Sequence, residues 1–131
     1  MKRISIGCGS AYANDRLEPA AELADSGRVS YLSFDCLAER TLAYAQLRRR
    51  QNPAAGQDER IGRLVPLLRS YLAGGGRVIG NFGAANPPAA VDEFCAGLLS
   101  GGVSGTGIGV VIGDYVLGRG RDLDADLPEL G

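Results

Sequence analysis

An apolar segment and a helical pattern meet in the sequence Tyr31-Leu-Ser-Phe-Asp-Cys-Leu-Ala-Glu-Arg-Thr-Leu-Ala-Tyr-Ala-Gln46, and the fold follows from this junction. Its apolar start ends abruptly at Asp35, and a helical pattern with Glu39 in its first turn begins immediately afterwards. This pattern is typical of a buried strand that leads into a helix through a very short loop. The junction therefore places acidic groups at the carboxyl end of a strand, which is where α/β proteins bind their ligands.

Three other apolar runs repeat this arrangement, because each ends in small or polar residues: Ile4–Cys8, Val78–Asn81 and Val110–Asp114. Helical patterns separate the runs. We therefore predict an α/β fold with a mostly parallel sheet of about four strands and flanking helices. No helix clearly follows the last strand, so this fold is expected to be the first part of a larger α/β domain. Residues 1–117 form the predicted domain, and the acidic residues 118–131 are predicted to be poorly ordered.

Four helices are predicted from apolar spacing and from start and stop signals. The first begins at Glu18–Pro19, and the second extends from about Leu37 to Arg50 with Leu42 on its inner side. The third covers residues 61–72 and contains Pro66, which either kinks it or begins a shorter helix. The fourth follows Asn86-Pro87-Pro88, with Asn86 as the N-terminal cap.

Composition and charge narrow the classes of function. A chain of 131 residues with 45% hydrophobic and 22% charged residues is typical of one globular domain. The net charge of −1 indicates no nucleic-acid partner, and no apolar run approaches the roughly 18–20 residues of a membrane span. The three cysteines are widely spaced and contain no C-x-x-C pair, so reduced thiols in a cytoplasmic protein are predicted, without a metal site. The absence of histidine removes the commonest general base.

Asp35 and Glu39 allow two interpretations. The first is local capping, with Asp35 or Cys36 at the helix N-terminus and Glu39 reaching back to it. The second is a pair of carboxylates that binds a hydroxyl or transfers a proton. Cys36 also adjoins the predicted helix N-terminus, which lowers a thiol pKa. A nucleophilic role for this thiol is the weaker interpretation, because no histidine is available to activate it.

Gly7-x-Gly9 after the first strand invites comparison with the dinucleotide-binding fingerprint, in which Asp35 would be the ribose-binding acid. The third small residue of that fingerprint would fall at Tyr12, and the following helix begins late. A turn that needs small residues is therefore the stronger interpretation, and a Rossmann-like nucleotide-binding domain is kept as a lesser alternative. The turn Asn81–Asn86 is predicted to hold an anion with its backbone N–H groups.

Four short blocks stand out along the chain: Gly7-x-Gly9-Ser10 with Asp15; Asp35-x-Leu37-Ala38-Glu39-x-Thr41; Asn81-x-Gly83-x-x-Asn86-Pro87; and Gly113-Asp114. Together they resemble the amino-terminal part of the acyclic terpene utilisation (AtuA-type) family, over about residues 2–117. The resemblance implies that the sequence is a portion of a longer protein. It also implies a role in the breakdown of citronellol- and geraniol-type terpenes, but it does not identify the reaction.

From the residues and the resemblance together we predict a protein that binds or processes a hydroxylated or acyl-CoA-type intermediate at the carboxyl ends of its strands. The alternative is a non-catalytic partner domain of a carboxylase or dehydrogenase. The sequence indicates no particular cofactor, and it predicts either a homo-oligomer or contacts with missing downstream sequence. The predicted catalytic residues are Asp35 and Glu39, and the predicted binding residues are Gly7, Gly9, Ser10, Asp15, Asn81, Gly83, Asn86 and Asp114.

Overall fold

The computed structural model describes residues 3–113 of the chain. In order, the described elements are β1 (Ile6–Ser10), α1 (Glu18–Asp25), β2 (Tyr31–Phe34), α2 (Glu39–Gln51), α3 (Ile61–Ala73), β3 (Arg77–Gly80) and α4 (Pro87–Ser100). This alternation of strands and helices confirms the predicted α/β class. The predictions for Asp114 and for the acidic residues 118–131 lie outside the described residues.

The strands form one parallel sheet in the order β1–β2–β3, with β2 in the centre. The first strand was predicted at Ile4–Cys8, but it lies two residues later and includes both glycines. The prediction of about four strands is too high for the described part of the chain, where residues 110–112 pair with no strand. Val111 and Ile112 are 95% and 68% exposed. Their side chains are therefore not buried against the rest of the described fold, and burial of apolar surface does not favour a fourth strand at this position.

One face of the sheet is packed. Gly7, Gly9, Leu32 and Phe34 point to this face, because alternate residues of a strand share a face. α1 packs against β1 and α3, and α3 packs against β3 and α4, so three helices cover this side. The largest fully buried side chains of the core are Leu17, Leu32, Ile61, Leu64 and Leu68.

The opposite face of the sheet is uncovered among the described residues. Ile6 and Ile79 are 69% and 61% exposed, and Cys8 and Ser33 on the same face are also exposed. Parallel sheets are normally covered on both faces, since their backbone connections place helices on each side. The described fold therefore combines one packed face with one exposed, partly apolar face.

The helices begin and end close to their predicted positions, and α2 differs most. It begins at Glu39 instead of Leu37, and Ala45 is its one buried residue. Leu42, which was predicted to face the core, is 37% exposed. Pro66 lies inside α3 on its exposed side, so α3 continues through the proline. Within residues 3–113, no helix combines the length and the apolarity needed to cross a membrane.

Candidate ligand-binding site at the carboxyl edge of the sheet

The carboxyl ends of the three parallel strands lie at one edge of the sheet, where the polar residues predicted from the sequence meet. β1 ends at Ser10, Asp35 directly follows β2, and Asn81 directly follows β3. These residues belong to two separate groups. Asp35 and Asn81 form an exposed pair, whereas Ser10 belongs to a buried network.

The Asp35–Asn81 pair links the ends of β2 and β3. The side-chain amide Nδ2 of Asn81 donates a hydrogen bond to Asp35 Oδ1 at 2.9 Å, and the backbone N–H of Cys36 donates to Asn81 Oδ1 at 2.6 Å. The N–H of Leu37 also donates to Asp35 Oδ1, at 3.3 Å. Asn81 therefore uses its amide to hold two consecutive residues of the β2–α2 connection.

The Asp35 carboxylate is charged and has capacity for a further hydrogen bond. The hydrogen bond from the Asn81 side chain, with a second from Leu37, lowers the pKa of Asp35 below its ordinary value. Asp35 is therefore ionised at neutral pH. Both described hydrogen bonds are accepted by Oδ1, so within residues 3–113 Oδ2 has no hydrogen-bond donor. An exposed oxygen of this kind can accept a hydrogen bond from a ligand.

The capping interpretation of Asp35 and Glu39 is wrong. α2 begins three residues after Cys36, with Ala38 as its cap residue, and the Thr41 hydroxyl accepts a hydrogen bond from the Ala38 N–H at 2.7 Å. Thr41 therefore makes the capping-box hydrogen bond that was predicted for Glu39. The Glu39 side chain is exposed in the first turn of α2, and neither carboxylate is occupied by capping α2.

Ser10 and Asp15 serve to close the loop after β1. The Ser10 hydroxyl donates to the Tyr12 carbonyl at 2.8 Å, and Asp15 Oδ2 accepts a hydrogen bond from the Ala11 N–H at 2.8 Å. Ser10 is 5% exposed. Since the loop satisfies these groups internally, their predicted contact with a ligand stays a prediction.

The glycines of β1 are explained by packing. A Cβ atom added at Gly9 would lie 2.5 Å from Cζ of Phe34, and one added at Gly7 would lie 2.5 Å from Cδ2 of Leu23. Both residues lie within β1 instead of in a loop after it, which places them too early for a dinucleotide-binding turn. The Rossmann-like alternative therefore loses its main support, and ligand binding by Gly7 and Gly9 stays a prediction.

Three backbone N–H groups of the turn Asn81–Asn86 are already used within the fold, and anion binding by this turn and by Gly83 stays a prediction. The N–H groups of Ala84, Ala85 and Asn86 already donate to backbone carbonyls, and the two residues that open α4 are prolines, which have no N–H. The packing of this turn against the start of α4 requires glycine at position 83, because a Cβ atom there would lie 2.8 Å from Cα of Pro87.

Asn86 occupies the predicted cap position, but its side chain does not cap α4. Its Nδ2 donates instead to the carbonyls of Pro53 and Ala55, both at 2.9 Å. Asn86 is 6% exposed and therefore fixes the α2–α3 loop against the start of α4. Its predicted role in ligand binding stays a prediction, and the Nδ2 group of its side chain is already used by these two hydrogen bonds.

Sequence reasoning missed the most highly connected polar group at this edge, the ion pair between Asp58 and Arg60. Both residues are 9% exposed, and Arg60 Nη2 lies 2.7 Å from Asp58 Oδ2. The available signal was an Asp and an Arg two residues apart immediately before an apolar helix. That signal does not show that the two side chains are buried. Their burial results from packing of the α2–α3 loop against the segments that follow the three strands, which are distant from it in sequence.

Cys36 belongs to this buried group, and its predicted activation is wrong. Burial raises the pKa of the Cys36 thiol to about 12, with a further contribution from the nearby Asp58 carboxylate. The thiol also lies three residues before the first residue of α2, too far for the helix N-terminus to activate it. Among residues 3–113, no group of three or more cysteine, aspartate or glutamate side chains is placed to hold a metal ion.

An apolar groove of about 1000 Å³ adjoins the Asp35–Asn81 pair. It lies between β3, the helices α3 and α4, and the segment 104–111. Asn81 and Leu37 are among its lining residues, and the part that they line, next to Asp35, is called its polar end below. Phe82 and Phe94 line its interior, with ring centroids 5.3 Å apart in an edge-to-face arrangement. Asn81 therefore connects the groove with the Asp35 carboxylate, which is hydrogen-bonded to Asn81 but does not itself line the groove.

Comparison with known proteins gives one finding. Residues 4–128 match the model of the acyclic terpene utilisation family, described as family protein AtuA. The match covers the whole of the described structure except Arg3. No curated protein and no solved structure matches the chain.

Proposed function

Because this chain belongs to the acyclic terpene utilisation (AtuA) family, we propose that it binds an acyclic isoprenoid alcohol at the carboxyl edge of its sheet. The hydrocarbon chain of the ligand occupies the apolar groove, and its hydroxyl donates a hydrogen bond to Asp35. The observation that carries this proposal is that Asn81, which lines an apolar groove, is hydrogen-bonded to the ionised and partly unsatisfied Asp35 carboxylate.

The groove supports a ligand that is long and apolar. Its volume of about 1000 Å³ is at the upper end of the range for small-molecule pockets, and its interior is lined by side chains such as Leu68, Phe82 and Phe94. Removal of a hydrocarbon chain from water into such a groove favours binding in proportion to the apolar area buried.

The polar end supports a hydroxyl in preference to an anion. Asp35 is negatively charged at neutral pH, so it repels a phosphate or a carboxylate but accepts a hydrogen bond from an alcohol. Three N–H groups of the neighbouring turn, on Ala84, Ala85 and Asn86, are already used. An acyl-CoA ligand would therefore have to keep its phosphates away from this end of the groove.

We assign Asp35 to binding and orientation instead of proton transfer. A carboxylate with a lowered pKa is a weak base at neutral pH, which reduces its value as a general base. Glu39 is the other carboxylate of the predicted pair, and it is exposed in the first turn of α2. If a proton is transferred at this site, Glu39→Gln is expected to lower turnover while leaving alcohol binding unchanged.

The test is calorimetric titration of the 131-residue chain with geraniol and citronellol and with their methyl ethers. The ethers retain the hydrocarbon chain but lack the O–H donor. We expect the alcohols to bind roughly tenfold more tightly than the ethers, as a hydrogen bond to a charged acceptor predicts. In Asp35→Ala this difference should disappear, whereas Asp25→Ala, which removes an exposed carboxylate at the end of α1, should preserve it. Equal affinity of wild-type protein for alcohol and ether would contradict the proposal.

The second candidate function is a non-catalytic partner domain of a carboxylase or dehydrogenase. The exposed sheet face with Ile6 and Ile79 favours it, since such a face suits contact with another protein. This candidate predicts that Asp35→Asn combined with Glu39→Gln still supports growth on acyclic terpenes, whereas Ile6→Thr combined with Ile79→Thr does not. Loss of growth in the first double variant, with the protein folded and abundant, would reject it.

A further inference from the structure

The Asp58–Arg60 pair lies in the loop between α2 and α3 and is separate from the groove and from the exposed Asp35–Asn81 pair. We propose that Asp58 and Arg60 are positioning residues that hold Asp35 and Asn81 in their relative geometry across β2 and β3. This proposal rests on the proposed function, because it concerns the same ligand-binding edge.

Arg60 contacts the immediate neighbour of Asp35. Its Nη2 lies 3.0 Å from Cys36 Sγ, and the backbone N–H of Cys36 in turn donates to Asn81 Oδ1. The peptide unit between Asp35 and Cys36 is therefore held on both sides, by Arg60 through the Cys36 side chain and by Asn81 through the Cys36 N–H. A shift of Arg60 would move the segment that carries Asp35.

Asp58 contacts the immediate neighbour of Asn81. Its backbone N–H donates to the Phe82 carbonyl at 2.8 Å, and its carboxylate accepts hydrogen bonds from the Arg60 N–H at 2.9 Å and from the Arg60 guanidinium. The loop conformation that holds Phe82 thus depends on the Asp58 carboxylate. The two residues of the ion pair reach the two residues that directly follow Asp35 and Asn81.

A third contact ties the pair to the first strand. Arg60 Nη1 lies 3.1 Å from the Tyr12 carbonyl, 3.2 Å from the Asp15 carbonyl and 3.3 Å from Ser10 Oγ. The guanidinium therefore connects the loops that follow β1 and β2, while the Asp58 N–H connects the loop that follows β3. A planar guanidinium is suited to this task, because its donors point in fixed directions, which a lysine ammonium cannot reproduce.

The burial of the pair makes this arrangement rigid. Burial raises the pKa of Asp58, but the hydrogen bonds from Arg60 outweigh it and the net shift is downward, so both partners remain charged at neutral pH. Separation of two buried charges is unfavourable, since each would lose its partner without gaining water. The residues that the pair contacts are consequently held in one conformation.

The test is a carbon-13 NMR titration of the Asp35 carboxyl in the 131-residue chain without ligand. Wild-type protein should show an Asp35 pKa below the ordinary 3.8. Arg60→Lys keeps the charge but loses the directed contacts, and we expect the pKa of Asp35 to rise toward 3.8 and the Asn81 side-chain amide signals to shift. Arg16→Lys is the matched control, because Arg16 makes an ion pair whose side chain is 80% exposed, and it should change neither signal.

Cys36→Ala is the second variant, and it decides the question if Arg60→Lys does not fold. It removes the sulfur that Arg60 contacts while it keeps the Asp58–Arg60 pair, and it should also raise the pKa of Asp35. A loss of stability alone would leave the pKa of Asp35 in the folded protein unchanged. The positioning role is overturned if every folded variant retains the wild-type Asp35 pKa and Asn81 amide signals, even if the wild-type chain binds the alcohols in the separate calorimetric titration. If the wild-type chain does not bind the alcohols but the Asp35 pKa shifts in Arg60→Lys or Cys36→Ala, the proposed function is overturned and the positioning role stands.

Discussion

At the scale of single residues, Cys36 shows how burial decides the chemistry of a group that the sequence places in a suggestive position. A thiol with a pKa of about 12 is almost fully protonated at pH 8, and only the thiolate reacts with alkylating agents. Cys8 and Cys95 are exposed. We therefore expect iodoacetamide at pH 8 to modify Cys8 and Cys95 in the native protein and to leave Cys36 unmodified, as measured by peptide mass spectrometry. Modification of Cys36 at the rate of Cys8 would show that the thiol is accessible and activated.

Gly9 also acts at the residue scale, because its missing side chain makes room for the Phe34 ring. Gly9→Ala would place Cβ within 2.7 Å of three ring carbons of Phe34, which is 2% exposed and has little space to move. We expect a loss of unfolding free energy of about 1–3 kcal/mol, measured by urea denaturation.

Gly107→Ala is the matched control for this prediction, since a Cβ atom there meets no atom within 4 Å. Its unfolding free energy should equal that of the wild-type protein within the error of the measurement. A Gly9→Ala variant as stable as the control would mean that Gly9 is needed for some purpose other than packing.

At the scale of elements, α2 and α3 have equal lengths but different attachment to the fold. Each has 13 residues, yet α3 buries four side chains in its interior-facing stripe and α2 buries Ala45 alone. The exposed Tyr44 and Leu47 of α2 make its surface apolar without contributing to the core. The backbone of α2 is instead anchored through side chains such as Arg48, whose Nη2 donates to the Gln57 carbonyl at 2.8 Å.

This difference predicts faster hydrogen exchange in α2. Local opening is easier where few apolar side chains are buried, so the amides of α2 should exchange at least roughly tenfold faster than those of α3. Mass spectrometry or NMR would measure both helices in one sample. Equal protection would indicate that α2 is packed by contacts that the described structure lacks.

Element order and approximate bounds could be predicted from the sequence, because they depend on local signals. The proline pair at the start of α4 and the abrupt end of the apolar run at Asp35 are examples. The side-chain partners could not be predicted in the same way. The sequence predicts Asn86 as the N-terminal cap of α4, but the carbonyls of Pro53 and Ala55 lie within hydrogen-bonding distance of its side chain only after the α2–α3 loop has folded.

The location of the candidate site on the sheet could be predicted from the sequence, whereas the full set of residues that form it could not. The order of strands and helices was enough to place Asp35 and Asn81 at one edge of a parallel sheet, and the structure joins them by a hydrogen bond. Arg60 was missed, since its side-chain contacts other than that with Asp58 are with residues 24 to 50 positions away. Contacts over such separations arise from the tertiary fold, and no local pattern in the sequence specifies them.

At the scale of the whole molecule, the uncovered face of the sheet is the main feature. Ile6, Ile79 and the neighbouring Ile4 are each more than 60% exposed. Apolar surface of this kind favours association with another protein surface, because association removes it from water. We expect the 131-residue chain to self-associate as its concentration rises, and sedimentation velocity would measure this.

Variants locate the surface responsible. Ile6→Thr combined with Ile79→Thr should weaken the association, since threonine keeps the β-branched shape that suits a strand. Leu99→Thr is the control, because Leu99 is 74% exposed on α4 and does not belong to the sheet. A wild-type chain that stays monomeric, or an equal effect of the control, would contradict this interpretation of the face.

NMR mapping with geraniol determines whether the groove and the Asp35–Asn81 pair form one binding site for an acyclic isoprenoid alcohol. We expect saturable chemical-shift changes that are largest at Leu37, Phe82 and Phe94 and at the side-chain amide of Asn81. The absence of saturable shifts up to the solubility limit of geraniol, or shifts confined to the exposed sheet face around Ile6 and Ile79, would rule out alcohol binding at this site.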